Sequence, residues 1–264
     1  MIWHRVDGDG VPVVLLNGIA MSGPSWEPVA APLAERYRVV RCDFRGQLLT
    51  PTDVPPDLAT HAGDVAAVIE HLGAVPAHVV STSFGGAVGI ELAARRPDLV
   101  RSLVSVASSD GFTEDMAAEV ARWRAACEAV LGGADPEVLS DTLEPVVYSE
   151  AWRVAHHDEL DERRRHIAQL PRAWFEGLAT LLDQAEDLGL GDAPGCVRCP
   201  TLVIAAGEDG FIPTPRTRAL ADAIPGAVFE VMEGAGHAVV VERPDEIVAR
   251  VVRWIEEVEA GHSG

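Results

Sequence analysis

The sequence predicts an α/β protein in which a mostly parallel central sheet is flanked by helices and carries an all-helical insertion. Short apolar runs alternate with helical patterns, and this alternation predicts βαβ crossovers between parallel strands. The apolar runs are nearly continuous, which indicates strands that are buried on both faces. Between residues 111 and 190 the alternation stops, because that segment has helical patterns and no convincing strand.

The individual elements follow from the period and length of each apolar pattern. The predicted strands cover residues 11–16, 37–44, 77–82, 100–108, 201–207 and 227–233. The predicted helices lie around 26–33, over 58–72 and 85–97, around 216–224, and over 244–258. The chain therefore divides into a core of residues 1–110 and 191–264 and a helical insertion of residues 111–190. We expect Trp123, Trp152 and Trp174 to pack the helices of the insertion rather than to line a pocket.

Composition excludes several classes of function. The formal net charge of -20 disfavours nucleic acid and anionic membrane surfaces as partners. The chain contains no lysine, which excludes a lysine Schiff base and a P-loop. No apolar run reaches the roughly 18 to 20 residues of a membrane-spanning helix. The N-terminus lacks the pattern of a signal peptide, so we expect a cytoplasmic protein.

The cysteines do not indicate a metal site. Cys196 and Cys199 form a Cys-Val-Arg-Cys pair, but a zinc site usually needs two further ligands at matching spacing, and none is evident. We therefore interpret the thiols as structural.

A stretch with two serines, Ser-Thr-Ser-Phe-Gly-Gly at residues 81–86, lies between a predicted strand and a predicted helix. A nucleophilic serine needs this context, because a sharp strand-to-helix turn exposes the hydroxyl. Small residues two positions to either side let the strand and the helix approach each other. Around Ser83 these positions hold Ser81 and Gly85, whereas around Ser81 one of them would hold Val79. Ser83 is therefore the predicted nucleophile, and an ordinary turn serine is the alternative.

Two polar residues follow later strands. Asp209 comes just after the predicted strand at 201–207, and His237 lies in a glycine-flanked loop after the last predicted strand. The carboxyl ends of parallel strands form the edge where active sites are built. The order Ser, Asp, His then predicts a nucleophile, an acid and a base. Asp110 also follows a strand and is a rival for the acid; its alternative role is to cap the first helix of the inserted segment.

Several motifs resemble those of the α/β-hydrolase fold family, and the resemblance covers nearly the whole chain. The stretch at 81–86 resembles the family's Gly-x-Ser-x-Gly-Gly elbow. PTLVIAAGEDGFIP (200–213) resembles the acid-bearing segment, and EGAGHAVVVERPDE (233–246) resembles the histidine loop. LLNGIAMSG (15–23) resembles the loop that supplies the oxyanion hole, and CDFRGQ (42–47) resembles the Asp-x-Arg-Gly motif that follows it.

This resemblance implies roles and also shows departures. The backbone N–H of Phe84, which follows the nucleophile, and that of Ile19 would form the oxyanion hole. The helical insertion would be a cap over the site. Asn17 stands where histidine is common, Leu48 replaces the usual second glycine of its loop, and Ser81 replaces glycine. Leu48 is therefore expected to give its loop a different influence on the pocket.

The resemblance also allows relatives with other chemistry to be set aside. Haloalkane dehalogenases and epoxide hydrolases of this fold use an aspartate nucleophile, and its hydroxynitrile lyases use a cap lysine. Meta-cleavage hydrolases typically carry a tryptophan after the histidine, where this chain has Ala238. Carboxylesterases, lactonases of the 3-oxoadipate enol-lactonase type, thioesterases and perhydrolases remain. Among these, the enol-lactonase pattern is the most similar.

We therefore expect a serine hydrolase that cleaves a carboxylic ester, lactone or thioester of a small molecule through an acyl-enzyme on Ser83. One alternative is a cap-gated cyclase or lyase that uses His237 as a base. Another is a non-catalytic small-molecule receptor on the same fold. No cofactor and no metal are expected. The expected partner is a small-molecule substrate, with no nucleic acid and no membrane, and assembly as a homodimer is left open.

Overall fold

The computed structural model describes residues 1–52, 54, 56–185 and 189–262. Residues 53, 55, 263 and 264 of the predicted core ranges, and residues 186–188 of the predicted cap, lie outside the described residues.

Within the described residues, seven strands form one twisted sheet at the centre of the molecule. In chain order they are β1 (His4–Asp7), β2 (Pro12–Leu16), β3 (Arg38–Cys42), β4 (Ala77–Thr82), β5 (Val100–Val106), β6 (Thr201–Ala206) and β7 (Val228–Met232). Their order across the sheet is β1-β3-β2-β4-β5-β6-β7, and every neighbouring pair is parallel except β1 with β3. The predicted mostly parallel sheet is confirmed.

Strand β1 was not predicted from the sequence, for a physical reason. It is a four-residue edge strand with no buried side chain, so it lacks the apolar run that identifies the others. It pairs antiparallel with β3, with His4 opposite Cys42.

Helices fill the connections between the strands. The helices that pack on the sheet or lie between its strands are α1 (Glu27–Ala34), α2 (Leu58–His71) and α3 (Phe84–Arg95). The segment between β5 and β6 holds α4 (Glu114–Leu131), α5 (Glu137–Val147), α6 (Glu150–Ala155), α7 (His157–Ala168), α8 (Arg172–Ala185) and α9 (Ala193–Cys196). The last part of the chain holds α10 (Thr214–Ala223), α11 (Val239–Glu242) and α12 (Pro244–His262). None of the helices in the described part of the chain is both long and apolar enough to cross a bilayer.

The two faces of the sheet carry separate hydrophobic clusters. Val14 and Leu16 of β2 pack on one face with side chains of α2, α3 and α10. Val13 and Leu15 of the same strand pack on the other face with side chains of α1 and α12. Successive side chains of a strand point to opposite faces, so a strand with helices on both sides must be apolar throughout. This is why the parallel strands read as continuous apolar runs.

A third cluster belongs to helices α4, α5 and α8 and joins them to the core. It contains Trp123 of α4, Leu139 of α5 and Leu178 of α8, together with Phe211 and Ile212 from the loop after β6. The helical character predicted for this segment is therefore found in its described residues. The division of the chain into a core and a cap domain stays a prediction.

A buried histidine lies beneath the turn between β4 and α3. His61 of α2 is 1% exposed, and its ring packs edge-on against Phe44 and Phe84, with ring centroids 5.3 and 5.2 Å away. Within the described residues neither ring nitrogen has a hydrogen-bond partner. Burial lowers the pKa of His61 from its usual value of 6.5 to about 4.

This pKa predicts a loss of stability in acid. The unfolded chain takes up a proton at His61 near pH 6.5, whereas the folded chain does so only near pH 4, so folding is progressively disfavoured as pH falls between these values. The full effect corresponds to about 3 kcal/mol. His61→Leu should remove this component, which urea unfolding at pH 7, 6 and 5 would measure. His71→Asn, at the exposed end of the same helix, is the control. An unchanged pH slope in His61→Leu would contradict the prediction.

Candidate active site

Ser83 occupies the turn that joins β4 to α3. Its φ is 52° and its ψ is -120°, a backbone conformation that residues other than glycine rarely adopt. The Ser83 N–H donates to the carbonyl of Val106, and the Ser108 hydroxyl donates to the carbonyl of Ser83. These bonds, over 2.9 and 3.1 Å, fix the strained turn to the end of β5.

The residues around Ser83 explain the motif. A Cβ atom at Gly85 would lie 2.5 Å from the carbonyl oxygen of Leu16, so only glycine lets α3 begin this close to β2. Ser81 is fully buried, and its hydroxyl donates to the carbonyl of Val104 at 2.9 Å. Ser81 therefore acts as a small buried residue within the sheet, as its place in the motif requires.

His237 and Asp209 lie in line with the Ser83 hydroxyl. The Nε2 atom of His237 is 2.9 Å from Ser83 Oγ, and its Nδ1 atom is 2.9 Å from Asp209 Oδ2. The other carboxylate oxygen, Asp209 Oδ1, accepts the N–H groups of Phe211 and Ile212 at 2.8 and 2.7 Å. Its side chain is 1% exposed, so the carboxylate is held in one orientation by three hydrogen bonds. The three residues predicted as nucleophile, acid and base are thus together, while their catalytic roles stay a prediction.

The rival carboxylate lies elsewhere. Asp110 pairs with Arg216 at 2.7 Å, so the carboxylate on His237 belongs to Asp209. Nor does Asp110 cap the first helix of the inserted segment, because Thr113 accepts the N–H of Met116 there. Glu208, next to Asp209, is exposed.

The loop that carries His237 is attached to the helical segment above it. The buried carboxylate of Glu242 accepts hydrogen bonds from the N–H and hydroxyl of Ser149, at 2.7 and 2.8 Å, and from the N–H of Gly236 at 3.1 Å. The N–H of Ala238 donates to the carbonyl of Val147 at 2.8 Å. The residues on both sides of His237 are therefore tied to the start of α6 and the end of α5.

A second buried network holds the loop after β2. Asn17 Nδ2 donates to Asp43 Oδ1 and to Gln47 Oε1, at 3.1 and 2.8 Å, and Asn17 Oδ1 accepts the indole N–H of Trp26 at 2.8 Å. Gln47 Nε2 in turn donates to the carbonyl of Gly18 at 2.8 Å. Asn17 therefore satisfies three buried polar groups at the position where the resemblance would place histidine.

Asp43 is the buried charge at the centre of this network. Its carboxylate accepts the N–H groups of Gly23 and Leu49 as well as the amide of Asn17. Burial raises the pKa of Asp43, and these three hydrogen bonds oppose that rise. The network fixes the loop that contains Ile19 against the loop after β3.

The two predicted oxyanion donors lie on either side of Ser83. Phe84 is the first residue of α3, and the first N–H groups of a helix have no partner within the helix. Ile19 is in the turn closed by the bond from the N–H of Met21 to the carbonyl of Gly18. Gly18 lies against Ser83, since a Cβ atom added to it would be 3.7 Å from Ser83 Cβ. Both predicted donors thus belong to segments that adjoin the Ser83 hydroxyl, and their role stays a prediction.

A cavity of about 510 Å³ opens beside Ser83 and His237. Its walls come from the loop after β2, from Leu48, from the loop after β7 and from helices α4, α5, α7 and α8. Leu48, which replaces a glycine of the motif, does line this cavity, as expected. The cavity is large enough for a small organic substrate.

For Trp123 and Trp174 the expected packing among the inserted helices is confirmed, but the expectation that they do not line a pocket is wrong. Trp152 stacks on Tyr148 and His156, with ring centroids 4.8 and 4.5 Å away, and lines neither described cavity. Trp123 and Trp174 belong to the hydrophobic cluster of the inserted helices but also line the large cavity. These helices lie over the end of the sheet, so one indole can face both their own core and the cavity.

Sequence reasoning missed Glu242, Gln47 and Asp43 as residues that position the site. All three lie inside quoted motifs, but each has a partner that is distant in sequence: Ser149, for example, is 93 residues from Glu242. Within the described residues, no group of three or more histidine, cysteine or acidic side chains is arranged to hold a metal ion.

The fold and this arrangement define the class of the protein. The chain matches the model of the Alpha/beta hydrolase family over residues 13–250, and it belongs to that family. The motifs that first indicated the family, among them the stretch at 81–86, lie in the loops around the turn at Ser83.

Individual relatives are similar over most of their length. "Putative carbamate hydrolase RutD" of Azorhizobium caulinodans is 29% identical, over 92% of this chain and 91% of the relative. Pimeloyl-[acyl-carrier protein] methyl ester esterase of Aeromonas hydrophila is 28% identical, over 94% and 96%. The enol-lactonase from Burkholderia xenovorans superposes with a TM-score of 0.81 over 97% and 96% at 23% identity, a likeness of fold alone.

The network around Asn17 predicts a stability effect. Asn17→Ala would leave the indole N–H of Trp26 without its acceptor, and Asp43 and Gln47 would each lose a donor. Since one unsatisfied buried polar group costs about 1–3 kcal/mol, the free energy of unfolding should fall by about 3 kcal/mol. Urea unfolding at pH 7 measures this, and Gln169→Ala at the exposed end of α7 should change it by less than about 0.5 kcal/mol. Equal values for the two variants would show that the network adds nothing to stability.

Proposed function

We propose that this protein is a serine hydrolase that cleaves an ester-type bond of a small molecule through an acyl-enzyme on Ser83. The observation that carries the proposal is the row of hydrogen bonds from Ser83 Oγ through His237 to Asp209, placed at the wall of a large cavity. Membership in a family of hydrolases supports the same class of reaction.

In the first step, His237 Nε2 accepts the proton of Ser83 as Oγ attacks the carbonyl carbon. The hydrogen bond from Nδ1–H to Asp209 fixes the imidazole tautomer that leaves Nε2 free to accept this proton. Asp209 also stabilises the imidazolium that forms. Because Asp209 Oδ1 is held by two backbone N–H groups, the carboxylate needs no reorganisation during the step.

The negative charge that develops on the carbonyl oxygen needs hydrogen-bond donors. The N–H groups of Ile19 and Phe84 are the proposed donors, and loss of one such donor typically raises the barrier by about 3–4 kcal/mol. The protonated His237 then gives its proton to the leaving group as the bond to the acyl carbon breaks. Water then attacks the acyl-enzyme while His237 accepts its proton. His237 passes this proton to Ser83 Oγ as the acid is released. No metal or organic cofactor takes part in this scheme.

The relatives support an ester-type substrate without identifying it. One is named for a methyl ester and another for a carbamate, and both groups have a carbonyl carbon that carries a leaving group. A carboxylic ester, a lactone and a thioester fit the same chemistry. A panel of these three classes, assayed with the wild type, is the experiment that narrows the choice.

Replacement of Ser83 tests the assignment of the nucleophile. Ser83→Ala should abolish turnover of every substrate in the panel and all labelling by a fluorophosphonate, because the probe reacts only with an activated serine. The fold should persist, since alanine fits the turn as well as serine does. Circular dichroism checks the fold, and mass spectrometry locates the labelled residue in the wild type.

Ser81→Ala serves as the matched control, because Ser81 is two residues away and its hydroxyl is used inside the sheet. It should retain both labelling and turnover. A cyclase, a lyase or a receptor would show no acyl adduct on Ser83 after a substrate pulse. That result, or turnover that survives in Ser83→Ala, would overturn the proposal.

Replacement of each aspartate in turn tests whether Asp209 or Asp110 is the catalytic acid. Asp209→Asn should lower kcat by about 10⁴-fold, because an amide at this position favours the wrong imidazole tautomer. Asp110→Asn removes the same charge from the pair with Arg216 and should retain most of the activity. Steady-state kinetics of both variants on one substrate decide the question. Similar losses in the two variants would contradict the assignment of Asp209 as the acid.

A further inference from the structure

Ser83 lies between two cavities of very different size. The large cavity, of about 510 Å³, is lined by His237 and by Ala238, Val240 and Val241 that follow it. A small pocket of about 50 Å³ is also lined by Ser83, and on that side the wall is formed by Phe84, Phe211 and side chains of α4 and α8. Ile19 and Trp123 line both and form the partition between them.

The chemistry of acyl transfer assigns the two sides. In the tetrahedral intermediate, the carbonyl carbon carries Ser83 Oγ, the oxyanion, the acyl chain and the leaving group. The leaving oxygen or sulfur must receive the proton that His237 Nε2 took from Ser83, so it lies on the side of His237. His237 lines the large cavity and is not among the residues that line the small pocket. The leaving group therefore extends into the large cavity, and the acyl chain takes the other direction.

We propose that the substrate is an ester or thioester of a short, apolar carboxylic acid, whose acyl chain occupies the small pocket, with a bulky alcohol or thiol in the large cavity. This inference rests on the proposed function and names the substrate class for the same site. In the first step, the bond between Ser83 Oγ and the acyl carbon forms to give the tetrahedral intermediate, and the bond to the leaving oxygen or sulfur breaks when this intermediate collapses. The proton of Ser83 passes through His237 to that atom, and water then releases the short acid.

The walls of the small pocket set the acyl chemistry. Phe112, Val120, Leu182, Ala185, Phe211 and Ile212 supply its apolar lining. Since about 10–15 Å³ of such volume holds one water-sized group, 50 Å³ accommodates about three or four carbon atoms beyond the carbonyl. The pocket thus fits acyl groups from acetyl to pentanoyl and excludes an octanoyl chain.

The wall of the large cavity suits a leaving group with a polar end. Helix α7 contributes Glu159, Glu162, Arg163 and His166 to it, while Ile19, Leu143 and Trp174 are among its apolar residues. A bulky alcohol or thiol that extends beyond the apolar part of the cavity wall therefore reaches the charged side chains of α7.

Chain-length kinetics test the assignment. We would measure kcat/KM for 2-naphthyl esters from acetyl to octanoyl, and for esters of butanoic acid with methanol to hexanol. The first series varies the acyl chain at constant leaving group, and the second varies the alcohol at constant acyl group. We expect the first series to peak at butanoyl or pentanoyl, which fill the pocket, and to fall at least ten-fold by octanoyl.

Leu182→Ala enlarges the small pocket and should move the optimum of the first series to chains two or three carbons longer. Leu178→Ala is the matched control, because Leu178 is buried in the same helix and lines neither cavity. It should keep the wild-type optimum. Ala185→Leu fills the pocket from the same helix and should leave acetyl as the preferred chain, which keeps the test decisive if Leu182→Ala folds poorly.

Three outcomes would overturn the inference. One is a first series without a chain-length optimum, another is an optimum that Leu182→Ala and Ala185→Leu both leave unchanged. The third is a shift produced by these variants only in the alcohol series, which would place the alcohol in the small pocket. In each case fluorophosphonate labelling of Ser83 would still occur, whereas its absence would count against the proposed function itself.

Discussion

The strained turn at Ser83 is the constraint on which the arrangement of the site depends. A positive φ at a residue with a side chain costs free energy, and the packing around the turn supplies the compensation. The turn is held by two hydrogen bonds, one to Val106 at the end of β5 and one from Ser108 just after it, and Gly85 lets α3 begin directly against the end of β2. This close approach brings the loop of Ile19 to the Ser83 hydroxyl and places the N-terminus of α3 beside it.

Two buried carboxylates hold the other loops of the site in place. Asp43 joins the loop after β2 to the loop after β3, and Glu242 joins the histidine loop to the inserted helices. Each accepts hydrogen bonds from backbone N–H groups that no regular secondary structure would satisfy. Because each anchor binds one group six residues away and another at least 20 residues away in sequence, the loops have fixed positions without belonging to the sheet.

The inserted helices contribute more than a cover. Their hydrophobic cluster is continuous with Phe211 and Ile212, whose N–H groups hold the carboxylate of Asp209. The same helices carry Trp123, which separates the two cavities. The packing of the insertion, the orientation of Asp209 and the shape of the two cavities therefore depend on the same contacts.

The sequence by itself determined the parallel sheet and the helical insertion, and it predicted Ser83, Asp209 and His237 as nucleophile, acid and base. Each of these follows from local patterns: continuous apolar strands, and polar residues just after strand ends that share one edge of the sheet. Only the tertiary structure decided between Asp209 and Asp110, because both follow strands and the distance to His237 is not a local property. It also revealed the edge strand β1, which has no buried face, and the roles of Asn17 and Glu242, whose partners are far along the chain. The cavities depend on which side of each helix meets the sheet, and the packing of whole elements sets that.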